Sequence, residues 1–85
     1  VVDDDDTVRP LVATMLRSCG CSPEEASDGY AALTAFRAAP DRYDLVALDL
    51  LMPGLSGEET LVELRRVRAD VRVLIISGYN EGGIL

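Results

Sequence analysis

Apolar residues along this chain follow two kinds of spacing. In three segments they recur every three or four residues, which is the spacing of one face of a helix. Around these segments lie three short apolar runs, Val1-Val2, Leu45–Leu48 and Val71–Ile76, and a further strand candidate, the short segment 21–26 that contains Pro23. The resulting order is strand, helix, strand, helix, strand, helix, strand. Such alternation predicts an α/β fold in which parallel strands are joined by right-handed helical crossovers.

The first helical segment begins near Val8. Its apolar residues fall at i, i+3, i+4, i+7 and i+11, and they are Val8, Leu11, Val12, Met15 and Cys19. Pro10 is compatible with a first helical turn, where its missing N–H does little harm. Gly20 is a suitable residue to end the helix. The pattern therefore predicts one helix with a single apolar stripe.

The second and third helical segments have clearer boundaries. Asp28-Gly29 marks a turn, and the stripe behind it consists of Ala32, Leu33, Phe36 and Ala39 and stops before Pro40. Ser56 and Glu59 fit a capping box at the start of the third helix. On that helix we expect an inward side formed by Leu61, Leu64 and Val67 with Val62 beside them, and a solvated side formed by Arg65, Arg66 and Arg68.

Three of the strand candidates carry features that place them in a sheet. Pro23 cannot donate to hydrogen-bond ladders on both sides, so residues 21–26 are expected to form an edge strand. The continuous apolar run Leu45–Leu48 is typical of a strand that is buried on both faces. The run Val71–Ile76 predicts another buried strand, which ends at Ser77-Gly78.

Composition narrows the class of protein. With 85 residues the chain has room for one domain with a small core, and its 48% apolar and 27% charged residues are ordinary for a globular protein. The net charge is −7 and all eight basic residues are Arg, so we expect no direct binding of nucleic acid or of an anionic membrane. No membrane-length apolar run and no signal peptide is visible, which predicts a cytoplasmic location. Cys19 and Cys21 are expected to be reduced thiols.

Acidic and hydroxyl side chains follow three of the predicted strands. Asp3 and Asp4 come after the first strand, Asp49 after the third, and Ser77 after the fourth. The carboxyl ends of parallel strands meet at one edge of a sheet, where ligands bind in such folds. Clustered carboxylates repel one another, and Mg2+ relieves that repulsion while often sharing its oxygen ligands with a phosphoryl group. We therefore predict a Mg2+ site at which one carboxylate can attack phosphorus and the Ser77 hydroxyl can donate to a phosphoryl oxygen.

These residues carry a resemblance to a known family. The segments VVDDDDTVR, ALDLLMPGLSGEE and VLIISGYNE, with ASDGYAAL before the second helix, resemble the receiver domain of two-component response regulators. The resemblance covers nearly the whole chain, and the motifs are specific because they occur together at this spacing. It implies a flavodoxin-like, doubly wound parallel sheet with strand order 2-1-3-4(-5).

The resemblance also implies a role for each site residue. Asp49 would be the phosphoacceptor and a metal ligand, Asp4 a direct ligand of Mg2+, and Asp3 a support beside it. The backbone carbonyl of Leu51 would be a further metal ligand. Ser77 would be the switch hydroxyl that moves toward the phosphoryl group.

Neighbouring positions receive lesser roles. Met52-Pro53 and Gly57 would shape the loop over the site. Arg9 matches a frequent basic residue on the first helix, and we assign it no catalytic role. Asp5 and Asp6 are expected to be surface groups or to support the site from outside.

One element of the receiver pattern is missing from this sequence. Receivers place a Lys at the end of a fifth strand, which a fifth helix follows, whereas this chain has no Lys and stops at Leu85. We therefore expect residues 1–85 to form a single, incomplete receiver domain. The faces that the fifth helix would cover are expected to be exposed, which favours dimerisation or strand exchange.

The implied function is a signalling switch and not an enzyme. A sensor histidine kinase or a phosphotransfer domain would donate a phosphoryl group to Asp49 with Mg2+ bound, and the new charge would recruit Ser77 and shift a surface that an output domain or downstream protein recognises. The donor is expected on another domain because this chain has no His. The phrase SGYNE is similar to receivers attached to hybrid sensor kinases.

Two other functions fit parts of the pattern. An aspartyl-phosphate phosphatase or phosphotransferase also uses an Asp at a strand end, but its motif has a second Asp two residues later, where this chain has Leu51. A degenerate receiver that acts only as a protein-interaction module would explain the missing Lys. The intact residues Asp3, Asp4, Asp49 and Ser77 favour the switch over that module.

Two departures from the receiver pattern lead to a hypothesis about the lifetime of the phosphorylated state. Leu51 and Tyr79 lie two residues beyond Asp49 and Ser77. Neither is an acid or amide that would position a hydrolytic water beside the phosphoryl group. We therefore expect slow self-dephosphorylation of the complete domain.

Overall fold

The structure, a computed structural model, describes residues 1–76 of the chain. Its helices are α1 (Val8–Ser18), α2 (Gly29–Ala38) and α3 (Gly57–Val67), and its ladder strands are β1 (Val46–Leu48) and β2 (Val73–Ile75). A short 3-10 helix at Pro40–Arg42 connects α2 to β1. No helix in this described range is long and apolar enough to cross a membrane. Ser77 and Tyr79, for which the sequence predicts roles, lie outside the described residues.

The sheet joins four segments of the described chain. β1 and β2 pair in parallel. On its other side β1 meets the start of the chain through a parallel bridge between Leu48 and Val2, and Val2 also forms a parallel bridge with Ala26. The order across the sheet is therefore Ala26 segment, Val2 segment, β1, β2. This is the predicted order 2-1-3-4, with the Pro23-containing segment at the edge.

The helix boundaries follow the local sequence signals. At the start of α3 the Glu59 N–H donates to the Ser56 hydroxyl at 3.1 Å, and the Ser56 N–H donates to the Glu59 carboxylate at 3.0 Å. This is the predicted capping box. Asp28 caps α2 by accepting from the Ala31 N–H at 2.7 Å. Gly20, just beyond α1, has a φ of +89°, a conformation that favours glycine.

The hydrophobic core joins α2 and α3 to the sheet. Its buried members are Val2, Ala32, Leu33, Phe36, Val46, Leu48, Met52, Leu64 and Val71. All three residues of β1 are buried, as predicted for a strand that is covered on both faces, but the prediction is wrong for Leu45, which precedes β1 and is 41% exposed. Ala13, the buried residue of α1, lies outside this cluster.

Two apolar surfaces are more exposed than their patterns suggest. On α1, Leu11 and Met15 are 57% and 59% exposed. On β2, Leu74 and Ile75 are 47% and 45% exposed, so the prediction of a buried strand is wrong for this part of the chain. β2 is the outer strand of the described sheet. Apolar spacing shows which side chains share a face, but whether that face is covered depends on elements elsewhere in the chain.

The predicted two sides of α3 are wrong at two positions. Val62, expected to face inward, is 51% exposed. Arg68, expected to be solvated, is partly buried and donates to the carbonyl oxygens of Pro40 and Tyr43, both at 2.8 Å. Its guanidinium carbon lies 6.0 Å from the centre of the Phe36 ring. A long Arg side chain can cover apolar surface while its head group binds backbone oxygens, which a charge pattern does not reveal.

Candidate functional site

Neighbouring strand ends bring Asp3 and Asp49 together. The Asp49 N–H donates to the Val2 carbonyl at 2.9 Å, and the Val2 N–H donates to the Ala47 carbonyl at 2.7 Å. Because these two segments are parallel, Asp3 and Asp49 leave the sheet at the same edge. Asp4 follows directly, and carboxylate oxygens of Asp3, Asp4 and Asp49 all lie within 4.8 Å of one another. The structure thus contains the predicted convergence of carboxylates.

The three carboxylates differ in their exposure to solvent. Asp3 and Asp49 are buried, with 3% and 8% of their surface exposed, whereas Asp4 is exposed. Burial raises the pKa of Asp49, and the negative charges of Asp3 and Asp4 raise it further. A hydrogen bond of 3.0 Å from the Leu51 N–H to Asp49 Oδ1 opposes this rise. The cluster therefore concentrates negative charge that a bound cation would offset.

The donor set fits Mg2+. All three side chains offer hard carboxylate oxygens, which this ion prefers, and Mg2+ usually completes its coordination with water and phosphate oxygens. Within residues 1–76, this is the only place where three such metal-ligating side chains converge. A soft thiolate site is not favoured by these residues, because both cysteines lie far from this cluster in sequence and are exposed.

The carboxylates line a cleft of about 420 Å³. The residues that form its walls are Asp3, Asp4, Asp5, Val8, Asp49, Leu51 and Ile76. A larger concavity of about 870 Å³ lies elsewhere, beside residues that include Glu24, Tyr43 and Leu45. It contains none of the three clustered carboxylates, so chemistry and not size identifies the smaller cleft as the candidate site.

The loop after Asp49 is held close to the sheet. Met52 is buried in the core with 8% of its surface exposed, while Leu51 is 60% exposed at the rim of the cleft. The Gly57 N–H donates to the Leu50 carbonyl at 3.2 Å and so ties the loop to the start of α3. These contacts agree with the loop-shaping role expected for Met52 and Gly57. The metal-ligand role of the Leu51 carbonyl stays a prediction.

Ile76 is the last described residue and lines the cleft. Its N–H donates to the Leu48 carbonyl at 2.9 Å, which continues the ladder toward the site. Ser77 follows it in sequence but lies outside the described residues. The switch role of Ser77 therefore stays a prediction.

Asp5 has a structural role that sequence reasoning missed. Its carboxylate accepts from the N–H groups of Thr7 at 2.7 Å and Val8 at 3.0 Å, at the start of α1. These hydrogen bonds lower the pKa of the Asp5 carboxyl. Its own N–H donates to Asp3 Oδ1 at 2.9 Å. Asp commonly accepts the free N–H groups at the start of a helix, but within a run of four aspartates the one that does so does not stand out.

Similarity to known families decides the class of protein. The response regulator receiver domain family matches residues 1–83 of the chain. The chain belongs to this family. Receiver domains are regulatory signalling domains that accept phosphoryl groups in two-component systems, so the predicted class is confirmed.

Two relatives illustrate the settings in which such domains occur. The chain is 35% identical to sensor kinase CckA of Brucella abortus over 81 residues, which are 95% of this chain and 9% of the kinase. It is 38% identical over 81 residues to a CpxR homologue, a transcriptional regulatory protein of Haemophilus influenzae, again over 95% of this chain and over 34% of the regulator. The chain therefore spans about a third of one relative and less than a tenth of the other.

Solved structures show the same fold. TrrA of Thermotoga maritima, a response regulator whose structure is a complex with Mg2+-BeF, matches with a TM-score of 0.85 and 35% identity over 93% of this chain and 67% of that chain. A complex of histidine kinase ThkA with TrrA matches with a TM-score of 0.82 and 34% identity over 95% of this chain and 68% of that chain. These similarities confirm the predicted flavodoxin-like α/β fold.

Proposed function

We propose that this chain is a phosphorylation switch in which Asp49 accepts a phosphoryl group from a phosphohistidine of a sensor histidine kinase or a phosphotransfer domain. The observation that carries the proposal is the convergence of the Asp3, Asp4 and Asp49 carboxylates within 4.8 Å at one edge of the sheet. The similarity to TrrA, which is known in complexes with Mg2+-BeF and with a histidine kinase, supports both the metal and the partner.

Asp49 is suited to act as the nucleophile. Its Oδ1 accepts the Leu51 N–H, which orients the carboxylate toward the cleft lined by Asp4. An Asp49 oxygen forms the new bond to phosphorus while the bond from phosphorus to the donor imidazole nitrogen breaks, and that nitrogen keeps the electron pair. The product is an acyl phosphate on Asp49.

The other acidic residues would serve the metal. Asp4, Asp49 and the carbonyl of Leu51 would hold Mg2+, with Asp3 supporting the site from its buried position. When bound, Mg2+ would neutralise the negative charge that gathers between the carboxylates and the phosphoryl oxygens. Because the raised pKa of Asp49 reflects burial and the charges of Asp3 and Asp4, the same cation would also favour the ionised, nucleophilic form of Asp49.

Phosphorylation would then change what the domain binds. The phosphoryl group adds negative charge at the strand ends, where the Ser77 hydroxyl would donate to one of its oxygens. The resulting shift would be recognised by an output domain or a downstream protein. The single incomplete domain over residues 1–85, the cytoplasmic location and the possible dimer stay predictions. So does attachment to a hybrid kinase, although one relative is a sensor kinase.

Phosphorylation by acetyl phosphate tests the proposal. The full-length protein is incubated with acetyl phosphate and Mg2+, and intact-protein mass spectrometry measures the addition of one phosphoryl group. We expect a mass gain that disappears when Mg2+ is chelated and that is absent in Asp49→Ala. The control variant Asp44→Ala changes an exposed acid outside the cleft and should keep the mass gain. A gain that survives Asp49→Ala contradicts the proposed acceptor. No gain, together with no response to beryllofluoride, would support the interaction module instead.

A further inference from the structure

Arg9 connects the turn that carries the acidic residues to two other parts of the molecule. Its Nη1 donates to the carbonyl oxygen of Asp3 at 2.9 Å, and its Nη2 donates to Asp6 Oδ1 at 2.7 Å. Its Nε donates to Glu25 Oε1 at 3.3 Å. Only 16% of the Arg9 side chain is exposed, although α1 begins one residue earlier. One guanidinium thus holds a strand end, the turn and the neighbouring edge segment.

The bond to the Asp3 carbonyl acts on the peptide that joins Asp3 to Asp4. A peptide unit is planar, so the direction of this carbonyl determines where the backbone of Asp4 lies. The Asp3 side chain is held separately by the Asp5 N–H at 2.9 Å. With the peptide and the preceding side chain both held, the Asp4 backbone keeps one direction even though the Asp4 side chain is exposed.

We propose that Arg9 is a positioning residue for the Mg2+ site, because it holds the Asp3–Asp4 peptide in the conformation that lets three carboxylates face one cation. This inference rests on the proposed function, since it concerns the same metal site. The guanidinium of Arg9 donates to Asp3, Asp6 and Glu25, so Arg9 would act on the metal site through the Asp3–Asp4 peptide. This role is indirect, and Arg9 is not a catalytic residue in it.

The charge of Arg9 and its position act on metal binding in opposite directions. A positive charge near a cation site weakens cation binding, so loss of the charge alone would strengthen it. Loss of the correct carboxylate geometry would weaken it. An ordinary surface ion pair contributes little to stability and would leave the metal affinity unchanged or increased when it is removed. Substitutions can therefore separate the two roles.

The substitution Arg9→Lys isolates geometry from charge. An ammonium keeps the positive charge but cannot reproduce the planar fork of donors that contacts Asp3, Asp6 and Glu25 together. The substitution Arg9→Gln removes the charge as well. Arg17, exposed on the same helix, provides the matched controls Arg17→Lys and Arg17→Gln.

The measurement is a Mg2+ titration of the full-length protein by isothermal titration calorimetry. We expect Arg9→Lys to raise the dissociation constant about 10-fold, the lower end of what loss of a supporting interaction costs a metal site. Arg9→Gln should also raise it, although it removes a repelling charge, and both Arg17 variants should match the wild type. At low Mg2+, both Arg9 variants should be phosphorylated by acetyl phosphate more slowly than the wild type. At saturating Mg2+, their rates should return to that of the wild type.

Several outcomes overturn the inference. An unchanged dissociation constant in Arg9→Lys does so, and so does tighter binding in Arg9→Gln. Reduced thermal stability of the metal-free Arg9 variants with unchanged Mg2+ affinity would assign Arg9 a purely structural role. If the wild-type protein binds no Mg2+, or if a double variant with Asp4→Asn and Asp49→Asn still binds it, the proposed metal site is wrong. The inference about Arg9 is then wrong as well. Wild-type binding with unaffected Arg9 variants overturns the Arg9 inference alone.

A second pair of variants covers the case in which Arg9 variants do not fold. Glu25→Gln loosens one anchor of the guanidinium, whereas Glu24→Gln removes the same charge one residue away without a contact to Arg9. We expect weaker Mg2+ binding in Glu25→Gln than in Glu24→Gln. Equal affinities in these two variants would overturn the proposal.

Discussion

A β-carbon on Gly57 would lie 2.3 Å from the carbonyl oxygen of Asp49. It would also lie 2.3 Å from the α-carbon of Leu50. Both neighbours are backbone atoms, so no change of side-chain rotamer can relieve the overlap. The first turn of α3 therefore packs directly on the chain that leaves β1 at the proposed phosphoacceptor.

Gly57→Ala is expected to destabilise the protein and to impair phosphorylation. Relieving the overlap requires the Asp49–Leu50 backbone to shift, and such overpacking typically costs about 1–3 kcal/mol. Urea denaturation measures the stability, and the initial rate with acetyl phosphate measures the function. Glu58→Ala, at the exposed next position, is the control and should change stability by less than about 0.5 kcal/mol. Wild-type stability in Gly57→Ala would show that the loop moves freely.

Asp49→Asn is expected to stabilise the metal-free protein near neutral pH. Burial raises the pKa of Asp49, so its ionised form destabilises the folded state at neutral pH, and a neutral amide of similar shape removes that penalty. The difference in stability between Asp49→Asn and the wild type should shrink as the pH falls through the raised pKa toward the ordinary value of 3.8. At low pH the Asp49 carboxyl is protonated in both the folded and the unfolded wild type, so its charge no longer matters.

Thermal denaturation of the metal-free protein at a series of pH values tests this expectation. Asp44→Asn makes the same change of net charge at an exposed position and should leave the pH profile nearly unchanged. Mg2+ should raise the melting temperature of the wild type and not that of Asp49→Asn, since binding to the folded state stabilises it. An Asn variant that melts at or below the wild-type temperature at neutral pH would contradict the electrostatic account.

Leu51→Asn is expected to shorten the lifetime of the acyl phosphate severalfold. Leu51 is 60% exposed at the cleft, and its N–H contacts Asp49, so an amide there can orient a water beside the phosphoryl group. The decay of phosphorylated protein, followed by mass spectrometry after removal of acetyl phosphate, gives the rate. Val62→Asn makes a similar change at an exposed position on α3. Rapid wild-type decay, or equal rates in wild type and Leu51→Asn, would refute the expectation.

Arg68→Met is expected to lower stability without changing phosphorylation. Met keeps much of the aliphatic stem but leaves the Pro40 and Tyr43 carbonyls without their donor, a loss of about 1–3 kcal/mol. Arg65→Met, on the exposed side of α3 just before Arg68, should be nearly neutral. Chemical denaturation of the two variants gives the comparison, and equal stabilities would mean that water replaces the Arg68 contacts.

The sequence alone was sufficient for the order of elements and for the proposed acidic site. Ser56 and Glu59 define the start of α3 through contacts within three residues, and Gly20 follows α1 for an equally local reason. The convergence of Asp3 with Asp49 is less local, but parallel strands bring their carboxyl ends to one edge whatever the details of packing. Caps, periodicity and strand polarity depend on short segments, and short segments can be interpreted without a structure.

Only the tertiary structure decided which side chains serve distant parts of the chain. Arg68 has the spacing of a solvated residue, yet it binds carbonyls 28 and 25 positions away. Arg9 belongs to a helical segment, yet it holds the Asp3 carbonyl and reaches Glu25. The exposure of Leu11 on α1 likewise depends on what packs over it. Long polar side chains and apolar faces acquire their partners only when remote segments meet, and residue identity and spacing do not encode that meeting.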